Sequence, residues 1–205
     1  MAYKLVFIDD SFKKGTNEPL VRAIGKQQKD AEITVFLNPE EGLNYVLNNL
    51  DSRMIVFLDC KFDGYPLQGI NVLKQIRKQT SLLYIVMMSA NSINQINQNE
   101  PSSIIDMINE DFIWFFDKNN NTFADASELI DKIRGLWDSR FDCVLEQWIL
   151  RHPEDATKIA YQEAAGKSYT WSDVLKELRL QTPIGKSFEK RINQFYIYQL
   201  MKQNG

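Results

Sequence analysis

Five apolar runs of strand length mark the first two thirds of the chain: 4–8 (KLVFI), 32–37, 54–58 (MIVFL), 83–88 (LYIVMM) and 112–116 (FIWFF). Helical spacing of apolar positions lies between them, near 18–29, 39–49 and 69–79, with a less regular stretch near 93–109. The runs 54–58 and 83–88 are apolar throughout instead of alternating, which suits parallel strands covered on both faces. This β-α-β rhythm predicts right-handed crossovers and an α/β, doubly wound, five-stranded parallel sheet. The stretch 91–99 (NSINQINQN) reads as a polar loop or a poor helix.

From Ala124 the strand signal stops, and a small all-helical region is predicted for 138–205. Ala126, Leu129, Ile130, Ile133, Leu136 and Trp137 form one helical stripe, and Phe141, Val144, Leu145, Trp148 and Ile149 form another. The two make either one long helix or a pair broken near Gly135. Pro153-Glu154-Asp155 predicts a further helix start, with Gly166 placed to close it. Thr170 or Ser172 can cap a helix through Leu180, and Thr182-Pro183 reads as a cap followed by proline at the first helical position. The final helix carries Ile184, Phe188, Ile192, Phe195, Tyr196 and Leu200 on one side.

Four polar islands follow the strand runs: Asp9-Asp10, Asp59, Ser89 and Lys118. In doubly wound sheets, ligands bind beyond the carboxyl ends of the strands, where all four islands map. A flavodoxin-like order, 2-1-3-4-5, makes the first and third strands neighbours and brings Asp9, Asp10 and Asp59 together. Three carboxylates in one crevice need a compensating cation or raised pKa values. Mg²⁺, a hard ion that takes oxygen ligands, suits the task. A carboxylate is also a nucleophile toward phosphorus, and the phosphoryl charge is then met by a cation, an ammonium and a hydroxyl. Lys118 and Ser89 supply the last two. Taken singly, an Asp or Ser after a strand more often caps the next helix.

Composition narrows the class. The 205 residues suffice for one good core and a small second unit. No apolar run reaches the roughly 18 residues that span a bilayer, and no signal-like N-terminus is seen, so a cytoplasmic protein is expected. Two cysteines, Cys60 and Cys143, and the single His152 argue against a disulfide framework, a zinc site or a Ser-His-Asp arrangement. Cys60 is expected to be buried and inert. Residues 1–137 hold 14 Lys/Arg against 18 Asp/Glu, whereas 167–205 hold 7 against 3. The basic tail admits nucleic acid or an acidic protein face as a partner.

With these motifs in view, residues 3–137 resemble the receiver domain of bacterial two-component response regulators. The resemblance rests on the acidic pair in VFIDDS, the phosphoacceptor in VFLDCKF, the Ser-Ala of VMMSAN, the lysine of FFDKN and the segment LQGINVLKQIR (67–77). It implies phosphorylation of Asp59, Mg²⁺ held by Asp9, Asp10, Asp59 and the backbone carbonyl of Lys61, and phosphoryl contacts from Ser89 and Lys118. Phe115 falls at the switch aromatic, with a plain sheet aromatic as the alternative. Lys61 and Asn91 fall where the family tunes phosphoryl lifetime. The implied partner is a sensor histidine kinase or phosphotransfer protein, and the implied role is a signalling switch, not an enzyme.

The chain departs from the family in three places. The step from Asp59 to Gly69 is about two residues longer than is usual in the family, and that from Ser89 to Lys118 about seven residues longer. Asn119 stands where proline commonly follows the lysine, which leaves Lys118 with a less rigid support. Residues 138–205 would read out the switch, either as a helical interaction or dimerisation module or by binding DNA through 171–192 with Lys186, Lys190 and Arg191. An unphosphorylated docking receiver is a third reading. A haloacid-dehalogenase-like phosphatase needs Asp-x-Asp after the first strand, where this chain has Asp9-Asp10-Ser11.

Overall fold

The computed structural model describes residues 3–90, 112–163 and 166–203. It divides into two compact units, Met1–Arg134 and Gly135–Gly205. In the first, β1 (Tyr3–Ile8), β2 (Ala31–Phe36), β3 (Met54–Asp59), β4 (Tyr84–Ser89) and β5 (Ile113–Asp117) form one sheet. Its order is 2-1-3-4-5, and every pair is parallel. This is the flavodoxin-like order expected from the sequence. β3 and β4 are buried along their whole length, and β2 and β5, at the edges, are mostly half-buried. That is why the two central runs carry no polar alternation.

Helices α1 (Pro19–Gln27), α2 (Pro39–Leu47) and α3 (Gly69–Arg77) alternate with the strands. α2 shows the local logic: Pro39 sits in its first turn and the Asn38 side chain accepts the Glu40 amide at 2.8 Å. The helix expected near 93–109 and the polar stretch 91–99 lie outside the described residues. α4 (Phe123–Trp137) buries Ala126, Ile130 and Ile133 as its stripe predicts.

The chain does not break at Gly135. α4 runs through it and ends before α5 (Phe141–Arg151), where the Arg140 amide turns back to the Trp137 carbonyl at 3.1 Å. A lone interior glycine costs a helix only about 1 kcal/mol. The helix expected after Pro153 is also absent. Residues 153–158 form turns, and β6 (Ile159–Gln162) pairs antiparallel with β7 (Ser168–Thr170). Ile159, Tyr161, Tyr169 and Thr170 favour a pleated surface, and Gly166 (φ +90°) serves the turn between the strands instead of a helix end. The C-terminal region is therefore helical except for this ribbon.

Thr170 caps α6 (Trp171–Arg179) in a reciprocal capping box with Asp173, and α7 (Pro183–Gln203) starts at its proline. Leu145, Tyr169, Val174, Leu178 and Phe188 form the core of the second unit. α7 crosses α6 so closely that a Cβ at Gly185 would lie 2.2 Å from the Glu177 carbonyl oxygen. The predicted stripe on α7 is covered only in its first half. Ile184 and Ile192 pack on the core, whereas Phe195, Tyr196 and Leu200 are more than half exposed. The cause is length: α6 has 9 residues and α7 has 21, or about 13 Å against about 31 Å.

Candidate functional site at the strand ends

The register builds the site. β1 and β3 are neighbours with Ile8 opposite Leu58, so Asp9 and Asp59 leave the sheet side by side. Asp59 stands opposite Met88, one residue before Ser89, and Ser89 stands opposite Asp117, one residue before Lys118. All four islands thus reach one edge of the sheet. Carboxylate oxygens of Asp9, Asp10 and Asp59 lie within 4.8 Å of one another, an arrangement able to hold a metal ion.

Asp9 is fully buried, and both of its oxygens are engaged. Oδ1 accepts the Ser11 amide at 2.9 Å and the Ser11 hydroxyl at 2.5 Å, while Oδ2 accepts Lys118 Nζ at 2.9 Å. The same ammonium lies 3.2 Å from Asp59 Oδ2. One cation therefore faces two buried carboxylates, with Asp10 as a third nearby. Burial pushes Asp59 up to about 6, Asp9 adds to the rise, and Lys118 opposes it. Burial works against the Lys118 ammonium, but Asp59 and Asp9 outweigh it and hold its pKa above the usual lysine range.

Lys118 is firmly seated although Asn119 follows it. Its amide donates to the Ser89 carbonyl at 2.7 Å, and the Asn119 side chain donates to the Ala90 carbonyl. Asp117 Oδ1 accepts the amides of Asn119 and Asn120 at 2.9 and 3.1 Å. Aspartate-led turn chemistry thus substitutes for a proline. Ser89 is buried, and Phe115 is half-buried on the edge strand. Asn91 lies outside the described residues. The Lys61 side chain is exposed and pairs with Asp63 at 3.4 Å. Cys60 is half-buried, not buried, and burial together with the Asp59 charge pushes its thiol up to about 12. An inert thiol results.

Three residues beside the site were not singled out from the sequence. Ser11 grips Asp9, the Asp63 amide donates to Asp10 Oδ2 at 3.0 Å, and Gln68 ties down the loop carrying Asp63. The long step from Asp59 to Gly69 was the available signal. Gly69 itself has a steric reason, since a Cβ there would lie 2.0 Å from the Asp59 carbonyl oxygen.

Among the described residues, no helix is long and apolar enough to cross a membrane. No family model matches the chain, and no curated protein matches it significantly. Solved structures of response regulator receiver domains do. A receiver domain protein from Clostridium thermocellum is 24% identical with a TM-score of 0.49, over 63% of this chain and 92% of that one. The receiver domain of NtrX from Brucella abortus is 19% identical with a TM-score of 0.45, over 62% and 94%. The BeF3-activated DrrB receiver domain is 14% identical with a TM-score of 0.44, over 64% and 97%.

Proposed function

We propose that residues 3–137 act as the receiver of a two-component response regulator, accepting a phosphoryl group on Asp59. The observation that carries this reading is Lys118 Nζ set between Asp9 (2.9 Å) and Asp59 (3.2 Å) in a cluster of three carboxylates. An Asp59 oxygen attacks the phosphorus of a phosphohistidine on a sensor kinase or phosphotransfer protein. The P–N bond breaks, its electron pair stays on the imidazole nitrogen, which takes a proton, and an acyl phosphate forms. Lys118 and Ser89 meet the phosphoryl oxygens.

The hard oxygen donors fit Mg²⁺. With Asp9 engaged by Ser11 and Lys118, the direct carboxylate ligands would be Asp10 and Asp59, joined by the Lys61 carbonyl, with Asp9 acting through water. When bound, the cation would offset the carboxylate charge and that of the incoming phosphoryl group. Phe115 turns inward as Ser89 moves toward the phosphoryl group, which biases a two-state equilibrium.

Residues 138–205 read that state as a protein-interaction or self-association module. The support is the exposed aromatic end of α7, where Phe195, Tyr196, Ile197 and Tyr198 are each more than half exposed. The test is acetyl phosphate with Mg²⁺ followed by intact mass. A phosphoryl adduct on the native chain that is lost in Asp59→Asn is expected. No adduct and no binding of beryllofluoride would reduce the unit to a docking module. For the second unit, a salt-dependent shift of random duplex DNA would replace the protein-interaction reading with a DNA-binding one.

A further inference from the structure

Gln68 is the residue before α3, where Ser, Thr, Asp or Asn commonly caps a helix. Its side chain makes no cap. It turns back onto the loop instead: Oε1 accepts the Phe62 amide at 3.0 Å, while Nε2 donates to the carbonyls of Phe62 (2.9 Å) and Tyr65 (2.7 Å). Both amide hydrogens of Gln68 are thereby used. The clamped segment has its own anchor, because the Phe62 ring is 1% exposed and meets Tyr65 edge-on at 6.4 Å. Gly64 (φ +79°) supplies the turn between them. The residue after Phe62 is Asp63, whose amide reaches Asp10 Oδ2 at 3.0 Å.

We infer that Gln68 is a positioning residue for the metal centre, holding the 60–66 loop so that the Asp63 amide orients the Asp10 carboxylate. This rests on the metal reading of the acidic cluster given above. Asp10 is only half-buried and lacks the grip that Ser11 and Lys118 give Asp9, so an outside amide has to fix it. Lys61 lies between Asp59 and the clamped Phe62, so the same side chain limits how far its backbone carbonyl can move. Groups that orient metal ligands from behind commonly change affinity by about 10–100-fold when removed.

The test is calorimetric titration of the full chain with Mg²⁺ and with Mn²⁺, beside amide exchange of residues 62–65. Gln68→Ala should weaken both metals about tenfold and speed exchange at Phe62 and Asp63. Gln68→Glu, which keeps the acceptor for the Phe62 amide but loses both donors, should fall between, and it carries the test should the alanine variant unfold. Gln75→Ala, on the exposed face of the same helix, should match the native chain. Native affinity in both Gln68 variants, or unchanged exchange in the loop, overturns the inference alone. A native chain that binds neither metal overturns the metal reading, and the inference with it.

Discussion

Asp59 in the first unit and Asp142 in the second are both buried carboxylates facing cations, yet they shift in opposite directions. Burial and the Asp9 charge push Asp59 up to about 6. Asp142 is equally buried, which by itself would raise its pKa, but Arg140 and Arg179 hold it below the usual carboxylate range. The difference is charge balance. Asp59 shares one ammonium with Asp9, with Asp10 adjacent. Asp142 is bracketed by Arg140 at 3.0 Å and Arg179 at 3.3 Å, and Arg179 continues to Glu146 at 2.9 Å. Two guanidinium groups against two carboxylates make a charge-balanced network, centred on the buried Asp142–Arg179 pair, that ties α5 to α6. Three carboxylates against one ammonium leave negative charge unanswered, an imbalance that the cation of the proposed function would offset.

The sharpest way to break the comparison is Arg179→Met. It leaves the buried Asp142 and the half-buried Glu146 beside one guanidinium, and should destabilise the second unit by about 3 kcal/mol, because half of a buried pair costs more than the pair contributes. Urea denaturation followed by fluorescence of Trp148 and Trp171 reads it. A midpoint equal to the native one would mean that the network contributes nothing.

Asp59→Asn should do the reverse in metal-free buffer, stabilising the first unit by about 2 kcal/mol at neutral pH by removing an unfavourable buried charge. The pH dependence gives the matching signs. Asp59's folded pKa lies above its unfolded value, so the native state holds the extra proton between about 4 and 6. Its contribution therefore favours folding in mild acid and is lost as pH rises through about 6. Asp142's folded pKa is depressed, so its contribution is present above the unfolded carboxylate pKa and lost as pH falls through the folded one. Strand-by-strand amide exchange from pH 7 to 5 should show β1 and β3 gaining protection in the native chain but not in Asp59→Asn. A flat profile in both would contradict the charge imbalance.

The smallest effect is at a cap. Thr170→Ala removes the side chain that accepts the Asp173 amide at 3.1 Å and should cost about 1 kcal/mol in the second unit. Thr170→Ser should restore most of it. An unchanged urea midpoint in the alanine variant would show that packing alone holds α6.

Legibility differs between the units for the same reason. The runs 54–58 and 83–88 are apolar throughout, which suits central parallel strands, and the β-α-β rhythm around them pointed to the sheet type and to the polar islands at its strand ends. Caps were readable too, since Thr170 and Thr182-Pro183 act within a few residues of themselves. The segment after Pro153 carried a true helix-start signal that lost to antiparallel pairing between Tyr161 and Tyr169, a short-range ribbon whose β-branched and aromatic residues outweighed the Pro-Glu-Asp start. The aromatics of α7 matched a core stripe, but whether a stripe is covered depends on the length of the partner helix, not on the stripe.

The ends of the five parallel strands, to within a residue, and the chemistry that stands there were written in the chain itself, because periodicity, turns and caps are short-range and each residue's type states its preference. How those groups are held came from the packing. It placed Ser11 and Lys118 on Asp9, the Asp63 amide on Asp10, Gln68 on its loop, and Arg179 on Asp142. Hydrogen bonds and ion pairs act over a few ångströms, so these partnerships exist only once distant segments have been packed together.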